Sequence, residues 1–359
     1  MTRPLPLILF AAAALSPLAL LALGATLGGI WPLCALTYMA LATILLDLLI
    51  PLAAGQSDDH EFPAADALLV SLGAGTMIAL PALVWAIAGN SLLGPLPRVA
   101  LFVAAGLWFG QVSHPAAHEL IHRPQRPLFA LGIAVYTALL FGHHASSHRL
   151  VHHRHVASPA DPNTAKVGES YYRFLPRAWI GSFRQGWRAE TALRQNALNL
   201  HAPNLHERGL HPYVLYLGGA ALALASGYLI AGLPGLLVWA GLGLHAGTQI
   251  LLSDYVQHYG MQRGLVGTKL APVTAAHSWN TPHWFSSALM LNAPRHSDHH
   301  SHPTRAFPAL RLPAEAPILP WPLPLACLIA LVPSLWCPLM QRELDRLAPE
   351  LPQARFPKA

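Results

Sequence analysis

The chain has 359 residues, 53% hydrophobic and only 11% charged, with a formal net charge of +6. Its mean hydropathy is +0.40. Soluble domains run near a quarter charged, so this composition argues against an ordinary soluble protein and for a lipid environment. Three cysteines, Cys34, Cys327 and Cys337, include no C-x-x-C pair. They argue against a disulfide framework or a cysteine-held iron centre within the chain, and each reads as a buried, inert thiol.

Charge-free runs locate the membrane: Pro4 to Leu46, Ala67 to Pro97, Val99 to His118, Pro127 to His148, Gly209 to Ser253 and Ala316 to Gln341. A bilayer core needs about 20 apolar residues per helix. The first run therefore holds two spans, split at "GATLGGI", and the run after Gly209 holds two more, split at "AGLPG". The predicted spans are residues 6–24, 30–51, 66–89, 96–117, 212–231 and 234–253. The N-terminus, with only Arg3 before its apolar run, reads as a first anchor and not as a signal peptide. Nine Arg plus Lys and four Asp plus Glu lie between Arg149 and His211, so +5 of the +6 sits in one hydrophilic loop. By the positive-inside rule that loop is cytoplasmic.

Six spans in three hairpins put every histidine string on one face. A seventh crossing within 127–144 would separate His148 from His122, so this segment is expected to lie in the interface or to dip in and return. The run 316–341 carries six prolines, which suits a surface-lying segment. No repeat or low-complexity tract is visible beyond that proline-rich tail. The expected organisation is two transmembrane hairpins over 1–117, a cytoplasmic histidine region over 118–211, and a third hairpin over 212–253. A second histidine region follows over 254–312, then a membrane-surface or cytoplasmic tail over 313–359.

The 21 histidines are clustered. His118 and His122 are i, i+4; His148, His152 and His153 are i, i+4, i+5; His296, His299 and His300 are i, i+3, i+4. On a helix these spacings aim imidazoles to one side, and neutral imidazole binds iron, zinc and copper well. A lone histidine near an interface is usually structural, whereas three clusters on one face mark a metal site. Eight imidazoles are too many for one ion, so two ions with open positions are the economical reading. His258, just after the sixth span, is the natural ninth ligand. "HELIH" also matches the H-E-x-x-H zinc-peptidase signature with Glu119 as base, but that reading leaves the other clusters idle. A metal transporter would want ionisable ligands within the spans, and the first three carry only Asp47 and Asp66, near their ends.

The strings "HELIHR", "SHRLVHHRHVASPADPNTAKVGESYYRF", "SDYVQHYGM", "HSWNTPHWFSSALML" and "RHSDHHSHPTRAFPALR" resemble those of the alkane 1-monooxygenases. These are non-haem di-iron hydroxylases of membranes, grouped with xylene monooxygenase and, more distantly, membrane fatty acid desaturases. The likeness runs from about His118 to Arg311. It implies an all-α integral membrane protein of six transmembrane helices, in the inner membrane, capped by a cytoplasmic histidine cage holding two irons. It implies terminal hydroxylation of an alkane with O2, with electrons from a rubredoxin supplied by an NAD(P)H-dependent reductase. The implied ligands are His118, His122, His148, His152, His153, His258, His296, His299 and His300. His155, His277, His283 and His302 read as supporting residues. Methylarene hydroxylation and acyl desaturation remain alternatives, because one cage can serve each.

The sequence departs from the family pattern in places. Ser147 stands where a Glu usually opens the second box, Asp254 replaces an Asn, Gln257 a Glu, and Ala293-Pro294 a Leu-Gln. Asp161, Asp254 and Asp298 are candidates to supply carboxylates around the ligands, or to serve as plain caps. A substrate groove opening sideways to the lipid is expected near Trp31, Met39, Trp85 and Trp108. The basic loop suits docking of a small acidic electron carrier.

Overall fold

The computed structural model describes residues 7–50, 63–90, 92–199 and 210–347. Arg3, the 51–62 connection, and the parts of the basic loop and tail at 200–209 and 348–359 lie outside the described residues. The fold is nearly all helix. The one sheet among the described residues pairs Leu265–Val266 with Lys269–Leu270 in a short hairpin.

Among the described residues, five helices are long and apolar enough to cross a membrane: Leu7–Leu27, Trp31–Leu49, Ala64–Gly89, Pro95–Ile121 and Pro212–Gln257. The first four lie within a few residues of the predicted spans. Proline at the first helical position starts two of them, Pro95 after Gly94 and Pro212 after His211, where a missing N–H costs nothing. The His211 side chain also accepts from the Tyr213 amide.

The fifth helix covers the last two predicted spans and breaks within the predicted split between them. Its 46 residues would run about 69 Å if straight, against a hydrocarbon core of about 30 Å. Non-helical dihedrals at Ala231 and Gly232 break it, Gly232 at a φ of 63° that only glycine adopts cheaply. The two halves then touch. A Cβ on Gly227 would sit 2.9 Å from the Gly235 carbonyl and 3.2 Å from Trp239 Cβ. Gly235→Leu is expected to wedge them apart at a cost of about 1–3 kcal/mol, lowering the unfolding temperature in detergent. Gly218→Ala, which meets nothing within 4 Å, is expected to leave it unchanged.

Segment 127–144 forms the helix Arg126–Ala138, whose 13 residues reach only about 20 Å. A turn through Leu140, at a φ of 58°, then leads to His144. The rings of His122 and His148 on either side lie 5.4 Å apart, so the segment starts and finishes on one face.

The proline-rich run 316–341 does more than lie on a surface. It contributes the helices Leu323–Ala330 and Pro333–Leu347. Trp336 is fully buried and meets the rings of Tyr255 and Tyr259 at 6.1 and 5.5 Å. All three cysteines are free.

Candidate metal centre and cavity

Four stretches of chain deliver the histidines. His118 closes the Pro95–Ile121 helix and His122 caps it. Residues 144–155 form a short helix, His258 follows the last long helix, and His296–Ser301 is one further helical turn and a half. The nine predicted ligands come together in two groups: His118, His122, His148, His153 and His299, then His152, His258, His296 and His300. Within each group the candidate ligand atoms lie within 4.8 Å of one another.

The partition differs from the one helical spacing predicts. Residues 148–152 form a π-turn, with the His153 amide donating to the His148 carbonyl. A π-turn aligns i with i+5, so His148 joins His153 in the first group while His152 faces the second. In the last cluster, His296 and His300 stay together at i, i+4, and His299 crosses to the first group.

The ring contacts fit ions better than hydrogen bonds. His148 Nε2 lies 2.7 Å from His118 Nε2 and 2.9 Å from His153 Nε2. His296 Nε2 lies 2.9 Å from His258 Nε2 and 3.1 Å from His300 Nε2. A ring nitrogen carries one proton or one lone pair, so neither can hydrogen-bond both neighbours. Ligands about 2.1 Å from an ion at right angles are separated by about 3 Å, the spacing observed. The Nε2 atoms of His122 and His152 are buried without a hydrogen-bond partner among the described residues. Burial, reinforced by neighbouring histidines, pushes His122, His148, His153, His296, His299 and His300 well below their usual pKa. Burial, and then His152, lowers His258 to about 3. Neutral rings at pH 7 have lone pairs to give.

The three candidate carboxylates have different surroundings. Asp161 Oδ2 accepts from His152 Nδ1 at 2.9 Å and from Thr164 Oγ1 at 2.7 Å. Burial opposes charge on His152, but the charge and hydrogen bond of Asp161 outweigh it and raise its pKa. The same pairing outweighs burial at Asp161 and lowers its pKa. Asp254 instead accepts from Asn163 Nδ2 at 2.6 Å. Asp298 holds Arg305 at 2.6 Å, the Arg311 amide at 2.7 Å and His302 at 2.9 Å. It braces the loop after the last box and makes no bond to the nine rings. His258 Nδ1 faces the His277 carbonyl and Ser278 Oγ, each at 3.4 Å. The Nδ1 atoms of His148, His153, His299 and His300, like Ser147 Oγ, are buried with no hydrogen-bond partner among the described residues. His155 Nδ1 and His283 Nδ1 share that condition.

Asp161→Asn removes the one carboxylate that, among the described residues, is hydrogen-bonded to a candidate ligand ring. It is expected to weaken metal retention by about 10–100-fold, read by chelator competition on the purified protein. Glu119, the base of the peptidase reading, is instead taken up by the Phe307 amide at 3.1 Å and by Arg123 at 3.7 Å.

A cavity of about 490 Å³ leads to the histidines and is lined by His118, His148, His296 and His299 at that end. Met39 lines it as predicted. Trp31, Trp85 and Trp108 do not. Trp85 is 49% exposed on the outside, and Trp108 is fully buried with Nε1 donating to the Ala14 carbonyl at 3.0 Å. A tryptophan at membrane level packs or anchors more often than it lines a tunnel. Sequence reasoning missed His114 and His144, both buried and both lining the cavity. The i−4 spacing of each from His118 and His148 was the available signal.

A family model described as fatty acid desaturase matches residues 93–328, a stretch that contains all nine histidines. This chain belongs to the fatty acid desaturase family. Within this family setting, alkane 1-monooxygenase 1 of Pseudomonas aeruginosa is 31% identical over 245 residues, covering 68% of this chain and 63% of that protein. Alkane 1-monooxygenase 2 of Alcanivorax borkumensis is 27% identical over 259 residues, covering 71% and 66%. The xylene/toluene monooxygenase hydroxylase component of Pseudomonas putida is 27% identical over 258 residues, covering 69% and 64%. The matched region thus spans just under two thirds of these relatives. The resemblance read from the histidine strings is borne out, and this desaturase-family chain is a membrane protein with histidine groups that could hold metal.

Proposed function

We propose that the chain is a membrane monooxygenase that converts the terminal C–H of an alkane or similar apolar substrate to a primary alcohol. One oxygen atom of O2 enters the C–H bond. The other leaves as water, using two electrons that an external carrier must supply and two protons from solvent. The observation that carries this reading is the convergence of nine imidazoles, six buried and three partly buried, in groups of five and four, at the end of a largely apolar cavity.

A C–H bond offers no acid, leaving group or dipole, so side-chain acid-base chemistry has nothing to grip. Two irons held by the two groups would supply oxygen activation, the hard chemistry that a cofactor brings. The chain supplies the rest. His118, His122, His148, His153 and His299 would hold one ion, and His152, His258, His296 and His300 the other. Asp161 fixes His152 with Nε2 turned inward. Met39 and its neighbours orient the chain and keep water away.

Six crossings with the histidines on the cytoplasmic side of the inner membrane are part of the proposal. The break at Ala231–Gly232 and the excess of arginine after residue 149 support them. That basic surface suits an acidic electron carrier of the rubredoxin type, fed by an NAD(P)H-dependent reductase. A methylarene substrate is the second reading, favoured by the xylene/toluene monooxygenase relative.

The test is purified protein with counted iron, a rubredoxin system, and a panel of alkanes and methylarenes analysed by mass spectrometry. About two irons per chain and terminal alcohols are expected. Alkenes from an acyl substrate would move the assignment to desaturation, and fewer than two bound metals would remove it.

A further inference from the structure

The segments lining the cavity differ in chemistry. Residues 39–44 and 323–331 contribute apolar side chains, among them Met39, Ile44, Leu323 and Leu328. The two long helices that face each other across it contribute Gln111 and His114 on one, His245 and Gln249 on the other. These polar groups lie inside membrane-spanning helices, where such residues are costly and are rarely kept without use.

Their seats are built into the backbone. A side chain on Gly106 would collide with His245, and one on Gly110 with Gln249, so each glycine makes room for a polar residue across the helix pair. Gln249 Nε2 donates to the Gly106 carbonyl at 2.7 Å, and Gln111 Nε2 to Gln249 Oε1 at 3.4 Å. Gln111 Oε1 is buried and has no hydrogen-bond partner among the described residues. The His114 ring turns one nitrogen toward the Ala246 backbone and leaves the other without a hydrogen-bond partner among the described residues. Gln111, in the π-turn at 109–113, and His114 and His118, on the helix that follows, all line the cavity.

Among the described residues no lysine or arginine lines the cavity, and its two acids are engaged, Glu119 with the Phe307 amide and Asp254 with Asn163. The unmet amide atom on its polar face is an acceptor, Gln111 Oε1. A bare hydrocarbon would leave it unmet, and so would a ketone or a carboxylate, neither of which has a proton to donate.

Resting on the hydroxylase reading above, we infer that the substrate is an apolar chain bearing one hydroxyl group. That hydroxyl donates to Gln111 Oε1 beside His114, up to two helical turns, about 10 Å, from the histidine that meets the reacting carbon.

The test measures binding before turnover. Detergent-purified iron-loaded protein is titrated with chains of matched length: an alkane, a mid-chain alcohol, a mid-chain ketone and a carboxylate, read by displacement of a fluorescent hydrocarbon probe. The alcohol is expected to bind at least about 10-fold more tightly than the alkane, as one satisfied buried hydrogen bond provides. Gln111→Leu, and separately His114→Leu, are each expected to shrink that preference while improving alkane binding. Equal binding of alcohol and alkane to the unaltered protein would overturn the inference, as would a preference for the ketone or the carboxylate over the alcohol. An alcohol preference without hydroxylated product would leave the inference standing and remove the hydroxylase reading, so the two fail separately.

Discussion

His296→Ala is expected to cost the protein one of two bound irons and to lower turnover by at least about 1000-fold, while His148→Ala is expected to lose iron less completely. The difference follows from ligand number. His296 is at the centre of a group of four, its Nε2 within 3.1 Å of two neighbours, and its removal leaves three rings. His148 is at the centre of a group of five and leaves four. Losing a partner that merely orients a ligand costs about 10–100-fold in metal affinity, so losing a ligand from a group of four costs more. Iron counted by elemental analysis beside activity checks this, and two irons retained in both variants would break the two-group assignment.

Met39→Trp is expected to cut activity on long chains by about 10-fold or more and leave the shortest accepted chains little changed. Met39 is only 1% exposed, and it lines the approach to the histidines within the π-turn at 38–42. An indole there would occupy part of a 490 Å³ cavity, and one methylene of lost fit is worth about 10–200-fold in discrimination. Trp85→Ala serves as the contrast, because its side chain lies outside the cavity. A chain-length profile that moved equally in both variants would show that packing, and not the cavity, is being read.

The spans and the ligand candidates were legible because each rests on a short-range signal. Lipid demands long charge-free helices, and imidazoles one turn apart announce themselves in sequence. The grouping of those imidazoles was not legible. The order His148, His152, His153 reads as one face of an α-helix, and only the backbone reveals the wider turn that sends His152 elsewhere. Trp108 was misplaced for a related reason: a periodic pattern tells which residues share a face, not whether that face meets a cavity or the first helix. Asp161 and Asp298 look alike in sequence, each within or near a histidine string. A difference in loop closure puts one carboxylate on His152 and the other on Arg305 and the Arg311 amide. The break at Ala231–Gly232 fell within the predicted "AGLPG" split, since Pro and Gly punctuate helices wherever they fall.

The wider turn at 148–152 acts as a one-residue wedge. An α-helix advances about 100° per residue, so deleting Leu150 would let the segment rewind and swing every later side chain round by about that angle. His148 would lose its register with His153, and the first cluster one of its five rings. How this string is dealt between the clusters is thus written in an insertion of backbone, whereas the string at 296–300 divides on an ordinary helix.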